Sequence, residues 1–371
     1  MKRYIIILLL LTLATPAQAA TGFEVSAWIP WWKKASGTPE VIQHITSFTE
    51  ISPFGYTVNS DGTLVDTMKI DEEPWPALVA SAKINKVRVI PSITWSDPSA
   101  MDRIFRSPTL RKAHIKQIVD LVTSKNYDGI DIDYENKDDK TKIYFSYFLR
   151  DLYKSVGKKF VTCSVEPRTP LDSRFDTIPT DITYSNDFTQ INKYCDRVRI
   201  MVYDQGRNDL KLNRVASTTP YAPIADSQWV EKVVRLALKE IPKKKLILGI
   251  PTYGHAYNLA PNGFGGYNYD LLRSFNAQYA LDIAASLQIS PIRQRSGELG
   301  LVYLPSSATS SVEFAVSSTT SSVPPIRFLT WSDASAIRDK INLAKRLGLK
   351  GVAIFKIDGG EDQGLWQLLG E

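Results

Sequence analysis

The sequence predicts an α/β protein: a (β/α)8 barrel of the TIM type with a small α+β insertion between strands seven and eight. Three observations carry this. Eight short β-rich runs recur from residue 23 onward, helical patterns lie between them, and one connection is far longer than the others. Of 371 residues, 43% are hydrophobic and 23% charged, as expected of a globular chain with ample length for a core. A doubly wound sheet is the competing architecture, but no G-x-G-x-x-G follows the first strand.

Residues 1–19 read as a signal peptide. Lys2 and Arg3 precede an apolar run, Ile5 to Leu13, and Ala17-Gln18-Ala19 offers a cleavage site. Residues 20–371 are then the mature chain, expected outside the cytoplasm or in the cell envelope. Cleavage lowers the formal charge from +6 to +4 through loss of Lys2 and Arg3. No dense Lys/Arg run suggests nucleic acid, no later segment is long and apolar enough to cross a membrane, and a monomer is expected.

The strands expected in order are Glu24–Ile29, Ser47–Phe54, Val87–Ile93, Gly129–Glu135, Phe160–Val165, Arg197–Tyr203, Leu246–Pro251 and Gly351–Ile357. Helices are expected at Pro76–Ile84, Leu110–Ser124, Lys140–Val156, Ser227–Glu240 and Asp333–Leu347, each from apolar residues at helical spacing. Asp333 reads as an N-cap and Gly348 as a C-terminal stop. Residues 258–329 are the insertion, with a helix at Asn276–Leu287 and strands at Leu299–Leu304, Val312–Val316 and Arg327–Trp331, separated by Ser/Thr-rich stretches.

The fourth run carries the chemistry. In Asp128-Gly129-Ile130-Asp131-Ile132-Asp133-Tyr134-Glu135 the acids Asp131, Asp133 and Glu135 alternate with apolar residues, so on a strand they share one face. Successive carboxyls then lie roughly 6–7 Å apart, and like-charge coupling keeps at least one protonated near neutral pH. A protonated carboxyl beside an ionised one suits acid-catalysed bond cleavage. Asp128 is out of phase and is assigned to strand support. No metal or cofactor is expected: His44, His114 and His255 are scattered, and the acidic run lacks the EF-hand loop glycine. Cys163 and Cys195 could pair or remain separate buried thiols.

These motifs resemble glycoside hydrolase family 18, the chitinases and related N-acetylglucosaminidases. Asp128 to Glu135 is similar to the family's D-G-x-D-x-D-x-E; Met201-Val202-Tyr203-Asp204 and Leu248-Gly249-Ile250-Pro251-Thr252-Tyr253-Gly254 are similar to its motifs on strands six and seven. Within the family, Ile51 to Tyr56 and Tyr221-Ala222-Pro223-Ile224 have the character of spore cortex-lytic and peptidoglycan-acting members. The resemblance implies a substrate-assisted hydrolase of N-acetylglucosamine-containing polysaccharide. It makes Glu135 the general acid and then base. Asp133 would orient the 2-acetamido group, Asp131 would share a proton with Asp133, and Tyr203 would bond the acetamido carbonyl. Asp204, Phe355, Tyr253, Phe54 and Trp95 would bind sugar. Phe355 stands where the family usually has tryptophan, and Pro91-Ser92-Ile93-Thr94-Trp95 replaces its S-x-G-G. Trp28, Trp31, Trp32 and Tyr257 are further candidates for a stacking groove. Two other readings share this site: a non-catalytic sugar-binding lectin and an endoglycosidase acting on N-glycans.

Overall fold

A computed structural model describes residues 22–216, 219–263, 265–305 and 326–370. The signal segment at 1–19 and the strand expected at Val312–Val316, with its flanking Ser/Thr stretches, lie outside them.

Eight parallel strands close into a barrel. They are Glu24–Pro30, Glu50–Val58, a split third strand (Arg88–Val89 and Ser92–Trp95), Gly129–Tyr134, Phe160–Val165, Arg197–Ile200, Leu246–Pro251 and Gly351–Phe355. Closure comes from the first strand, which pairs with the eighth (Glu24↔Gly351) and with the second (Ser26↔Glu50). The third strand is split because Pro91 has no N–H to give the ladder, although its carbonyl still accepts from Asp131 N at 2.9 Å.

The sixth strand stops at Ile200 rather than at Tyr203 as the sequence suggests. Val202 N bonds back to Ile200 O (3.0 Å) and Tyr203 N to Met201 O (3.0 Å), two tight turns that end the ladder. Gly249 on strand seven makes room for Tyr203, since a Cβ there would stand 3.1 Å from the tyrosine ring and 2.7 Å from Ile200 O. Gly129 likewise lets strand four approach strand five, where a Cβ would come within 2.6 Å of Phe160 Cβ.

The outer helices bury the stripes that their periodicity marks. Pro108–Ser124 buries Ile115, Ile118 and Val122; Lys142–Ser155 buries Phe145, Phe148, Leu149 and Leu152. Asp333 caps Ala334–Leu347 by accepting from Ala336 N, and Gly348 ends that helix in the left-handed region at φ 67°. No helix among the described residues is long and apolar enough to cross a membrane.

Between strands seven and eight lies a five-stranded antiparallel sheet. Its spatial order is Tyr267–Asn276, Tyr253–Pro261, Ile326–Trp331, Leu299–Tyr303 and Ile292–Arg293, and the helix Ala277–Leu287 covers it. Phe275, Ile283, Leu301, Leu329 and Trp331 give it a core of its own. The sheet begins at Tyr253, directly after strand seven. Its first two strands form a hairpin whose turn signal, Asn262-Gly263 with Gly265-Gly266, is present in the sequence; Asn262 N bonds Gly266 O at 3.0 Å. The buried carboxylate of Glu298 ties this sheet to the loop after strand six, accepting from Ile224 N (2.9 Å) and Ala225 N (2.8 Å). Cys163 and Cys195 are joined in a disulfide linking strand five to the start of strand six.

Candidate active site

Strand four puts Asp131 and Asp133 inside the barrel and Ile132 and Tyr134 against the helices, as a two-residue repeat requires. Tyr134 accordingly meets His114, whose Nε2 lies 2.7 Å from its hydroxyl. Asp128 supports the strand from below by accepting Val89 N at 2.8 Å.

Asp131 is fully buried and accepts four hydrogen bonds. Its Oδ2 accepts from Trp28 Nε1 (3.0 Å), Ser92 Oγ (2.6 Å) and Arg199 Nη1 (3.0 Å), and its Oδ1 from Ser164 Oγ (2.9 Å). These four donors come from strands one, three, five and six. Three of the four fall on Oδ2, and none comes from Asp133. Asp133 Oδ1, also buried, has no hydrogen-bond partner among the described residues. Burial, reinforced by the charges of Glu135, Asp131 and Glu166, pushes the Asp133 carboxyl well above the usual carboxylate range.

Glu135 follows at the strand's C-terminal end and opens into a cleft of about 640 Å³ with Asp133, Tyr203, Asp204, Glu166, Trp229 and Phe355. Burial raises the Glu135 carboxyl, Glu166 and Asp204 raise it further, and Lys137 opposes them. The cleft thus holds two carboxyls with raised proton affinity, Asp133 and Glu135, together with Glu166 and Asp204.

A family model described as glycosyl hydrolases family 18 matches residues 29–360. The chain belongs to glycosyl hydrolase family 18, and it is a glycoside hydrolase. It is 22% identical over 274 residues to the uncharacterized glycosylase YvbX of Bacillus subtilis, covering 74% of this chain and 69% of that protein. Its fold is similar to the spore cortex-lytic enzyme SleL of Bacillus cereus (TM-score 0.73, 18% identity, 94% of this chain and 74% of that one). It is also similar to a chitinase from Chromobacterium violaceum (TM-score 0.72, 17% identity, 94% and 98%).

In this family 18 barrel the remaining sequence candidates separate into two groups. Phe355 sits in the floor, stacked on Tyr203 (centroids 5.4 Å, planes 13° apart) and edge-on to Trp28 and Phe54. Phe54 lines the same cleft, and Trp32, 47% exposed, extends the aromatic surface at 5.9 Å from Phe54. Asp204 holds a left-handed φ of 54°, and its Oδ1 accepts from Tyr253 Oη at 2.6 Å with His255 Nε2 at 3.3 Å. Burial lowers the His255 proton affinity, and the Asp204 charge opposes that shift. Asp204, Tyr253 and Phe355 also line an adjoining cleft of about 540 Å³, which Arg273, Phe275 and Tyr279 of the added sheet and helix wall on one side.

Trp95 does not join the cleft. It is in register with Tyr134, so it points outward and is buried among Phe105, His114 and Tyr134. Tyr257 packs on Phe328 and Tyr269 in the added sheet, and Trp31 lines neither cleft. Sequence reasoning missed Glu166 just after strand five, Lys137 in the turn after Glu135, Trp229 as a cleft residue, and Arg199, whereas Trp32, a stacking candidate from the sequence, lines the adjoining cleft. Glu166 had one readable signal: it directly follows a predicted barrel strand, where functional groups gather. No group of three or more His, Cys, Asp or Glu side chains arranged to hold a metal occurs among the described residues.

Proposed function

We propose that this protein is a secreted glycosidase that hydrolyses β-1,4 N-acetylglucosamine linkages in peptidoglycan or chitin by substrate-assisted, retaining catalysis. The observation that carries the reading is the juxtaposition of Glu135, whose proton affinity burial raises, with the unpartnered, buried Oδ1 of Asp133 in one cleft. Glu135 gives its proton to the glycosidic oxygen as that bond breaks. The sugar's own 2-acetamido oxygen closes on the anomeric carbon from the opposite face, so no protein nucleophile is required. Asp133 turns its free oxygen to the acetamido N–H, and Tyr203 meets the carbonyl. Glu135, now ionised, takes a proton from water, which attacks the anomeric carbon, reopens the ring and restores the configuration.

The other carboxyls of the cleft are held by neighbouring donors. Both Glu166 oxygens accept hydrogen bonds, from Asn136 N (3.1 Å) and Asn186 Nδ2 (2.5 Å), and Asp204 Oδ1 is taken by Tyr253. Export is supported by the basic start, apolar run and A-x-A site of residues 1–19. Likeness to a protein named spore cortex-lytic enzyme supports peptidoglycan; likeness to one named chitinase supports chitin.

The test offers peptidoglycan, chitin oligomers and a high-mannose glycopeptide side by side and identifies the products by mass spectrometry. Cleavage at N-acetylglucosamine with retained configuration is expected, with Glu135→Gln at least about 100-fold slower. Equal turnover by the wild type and Glu135→Gln, or binding without cleavage, refutes the reading; cleavage of the glycopeptide alone moves the substrate to N-glycans.

A further inference from the structure

Lys137 is 7% exposed, an expensive place for an ammonium, and it lies two residues beyond Glu135 in sequence. Its Nζ donates to the Tyr134 carbonyl, stands 4.7 Å from the Phe145 ring centroid and is 4.0 Å from Glu166 Oε1. That same Glu166 oxygen accepts the N–H of Asn136, the residue between Glu135 and Lys137, which holds a left-handed φ of 57°. A carboxylate from strand five therefore clamps the turn that carries the acid, and a buried cation from that turn faces the carboxylate. Glu166 is further anchored by Asn186, whose carbonyl accepts from Arg168.

We propose that Glu166 and Lys137 are positioning residues for Glu135: the Glu166 carboxylate holds the turn that carries the acid, and the buried Lys137 ammonium of that turn sets an opposite charge against it. The two charges act on one group with opposite sign. This rests on the reading of Glu135 as the proton donor. The other charged or titratable groups facing Glu135 are Asp133, with Asp131 and Arg199 below it on strands four and six, and Tyr203 and Asp204 after strand six. Arg174, on the cleft's far wall, completes the set. Among all of these, Glu166 raises the Glu135 carboxyl most and Lys137 is the group that lowers it.

The experiment measures kcat/KM against pH for the wild type, Glu166→Gln and Lys137→Met. It also follows the Glu135 carboxyl by 13C NMR titration without substrate, the signal being assigned by its loss in Glu135→Gln. The basic limb and the NMR midpoint should move down by about one pH unit in Glu166→Gln and up in Lys137→Met. If a neutral variant does not fold, Glu166→Asp, which keeps the charge but withdraws it by one methylene, must move both midpoints down by a smaller amount. Midpoints that stay fixed, or that move the same way in Glu166→Gln and Lys137→Met, overturn the proposal. Because the NMR arm needs no turnover, it decides the point even if none of the offered polymers is cleaved.

Discussion

Replacing Arg199 with methionine tests the interior of the barrel most severely. The guanidinium is fully buried on strand six; it bonds Ser52 Oγ at 2.9 Å and Asp131 Oδ2 at 3.0 Å, pairs with Glu50 through its second amino group, and lies 4.7 Å above the Trp28 ring. Methionine fills most of the volume but supplies no donor and no charge. Asp131 would keep three of its four donors, and Glu50 would keep Arg88 Nε at 3.1 Å. Two carboxylates in the barrel interior would nonetheless lose their shared cation. Breaking a buried pair from one side costs about 3–5 kcal/mol, a large part of the roughly 5–15 kcal/mol that holds a domain together. The assay is the urea midpoint with a thermal melt, run beside Glu50→Gln and the double variant. The reasoning requires the double variant to be less destabilised than the sum of the two singles, because removing Glu50's charge relieves part of what Arg199→Met strands. A loss below about 1 kcal/mol in Arg199→Met, or strictly additive losses, would show that the buried charges are not coupled as the distances imply.

Glu361, in the loop after strand eight, is raised from 4.5 to about 7, chiefly by burial. Because its folded value exceeds the unfolded one, its contribution favours folding below pH 4.5 and is lost as pH rises through 7, by up to about 3 kcal/mol. Glu361→Gln should therefore flatten the stability profile between pH 5 and 8 in melts across that range; an unchanged slope would contradict the assignment. Opening the Cys163–Cys195 bridge in a Cys163→Ser/Cys195→Ser variant frees a span with a sequence separation of 32 and should cost about 2–4 kcal/mol. Reductant should then lower the melting temperature of the wild type but leave that of the double variant untouched. Together with the Glu135→Gln rate loss stated above, these measurements address the acid, the barrel interior, the rim and the disulfide separately.

Part of this protein could be read from local pattern alone. Alternation along Asp131, Asp133 and Glu135 places three acids on one face, since neighbouring side chains of a strand point opposite ways whatever surrounds them. Helical spacing locates the outer helices, and Asp333 and Gly348 mark the ends of one of them through their own backbone chemistry. Trp95 shows where such reading stops. Its alternation is as clear as that of the acids, but facing the cleft or the helices depends on register with Tyr134, and it is buried on the helix side. The added hairpin at Tyr253–Asn276 escaped for a different reason: its turn residues were visible, but its first strand follows strand seven almost without a break.

Local pattern is enough to put a file of carboxyls on the fourth strand of a barrel, with the last of them at its C-terminal end. The part each carboxyl plays comes from contacts made in the folded molecule. The donors to Asp131 come from residues 103, 39, 33 and 68 positions away, and Glu166 reaches the turn after Glu135 across 30 residues. Proton affinity is set by burial and by the charges within a few ångströms. Those neighbours are brought together by closing the barrel, so no local stretch of chain encodes them.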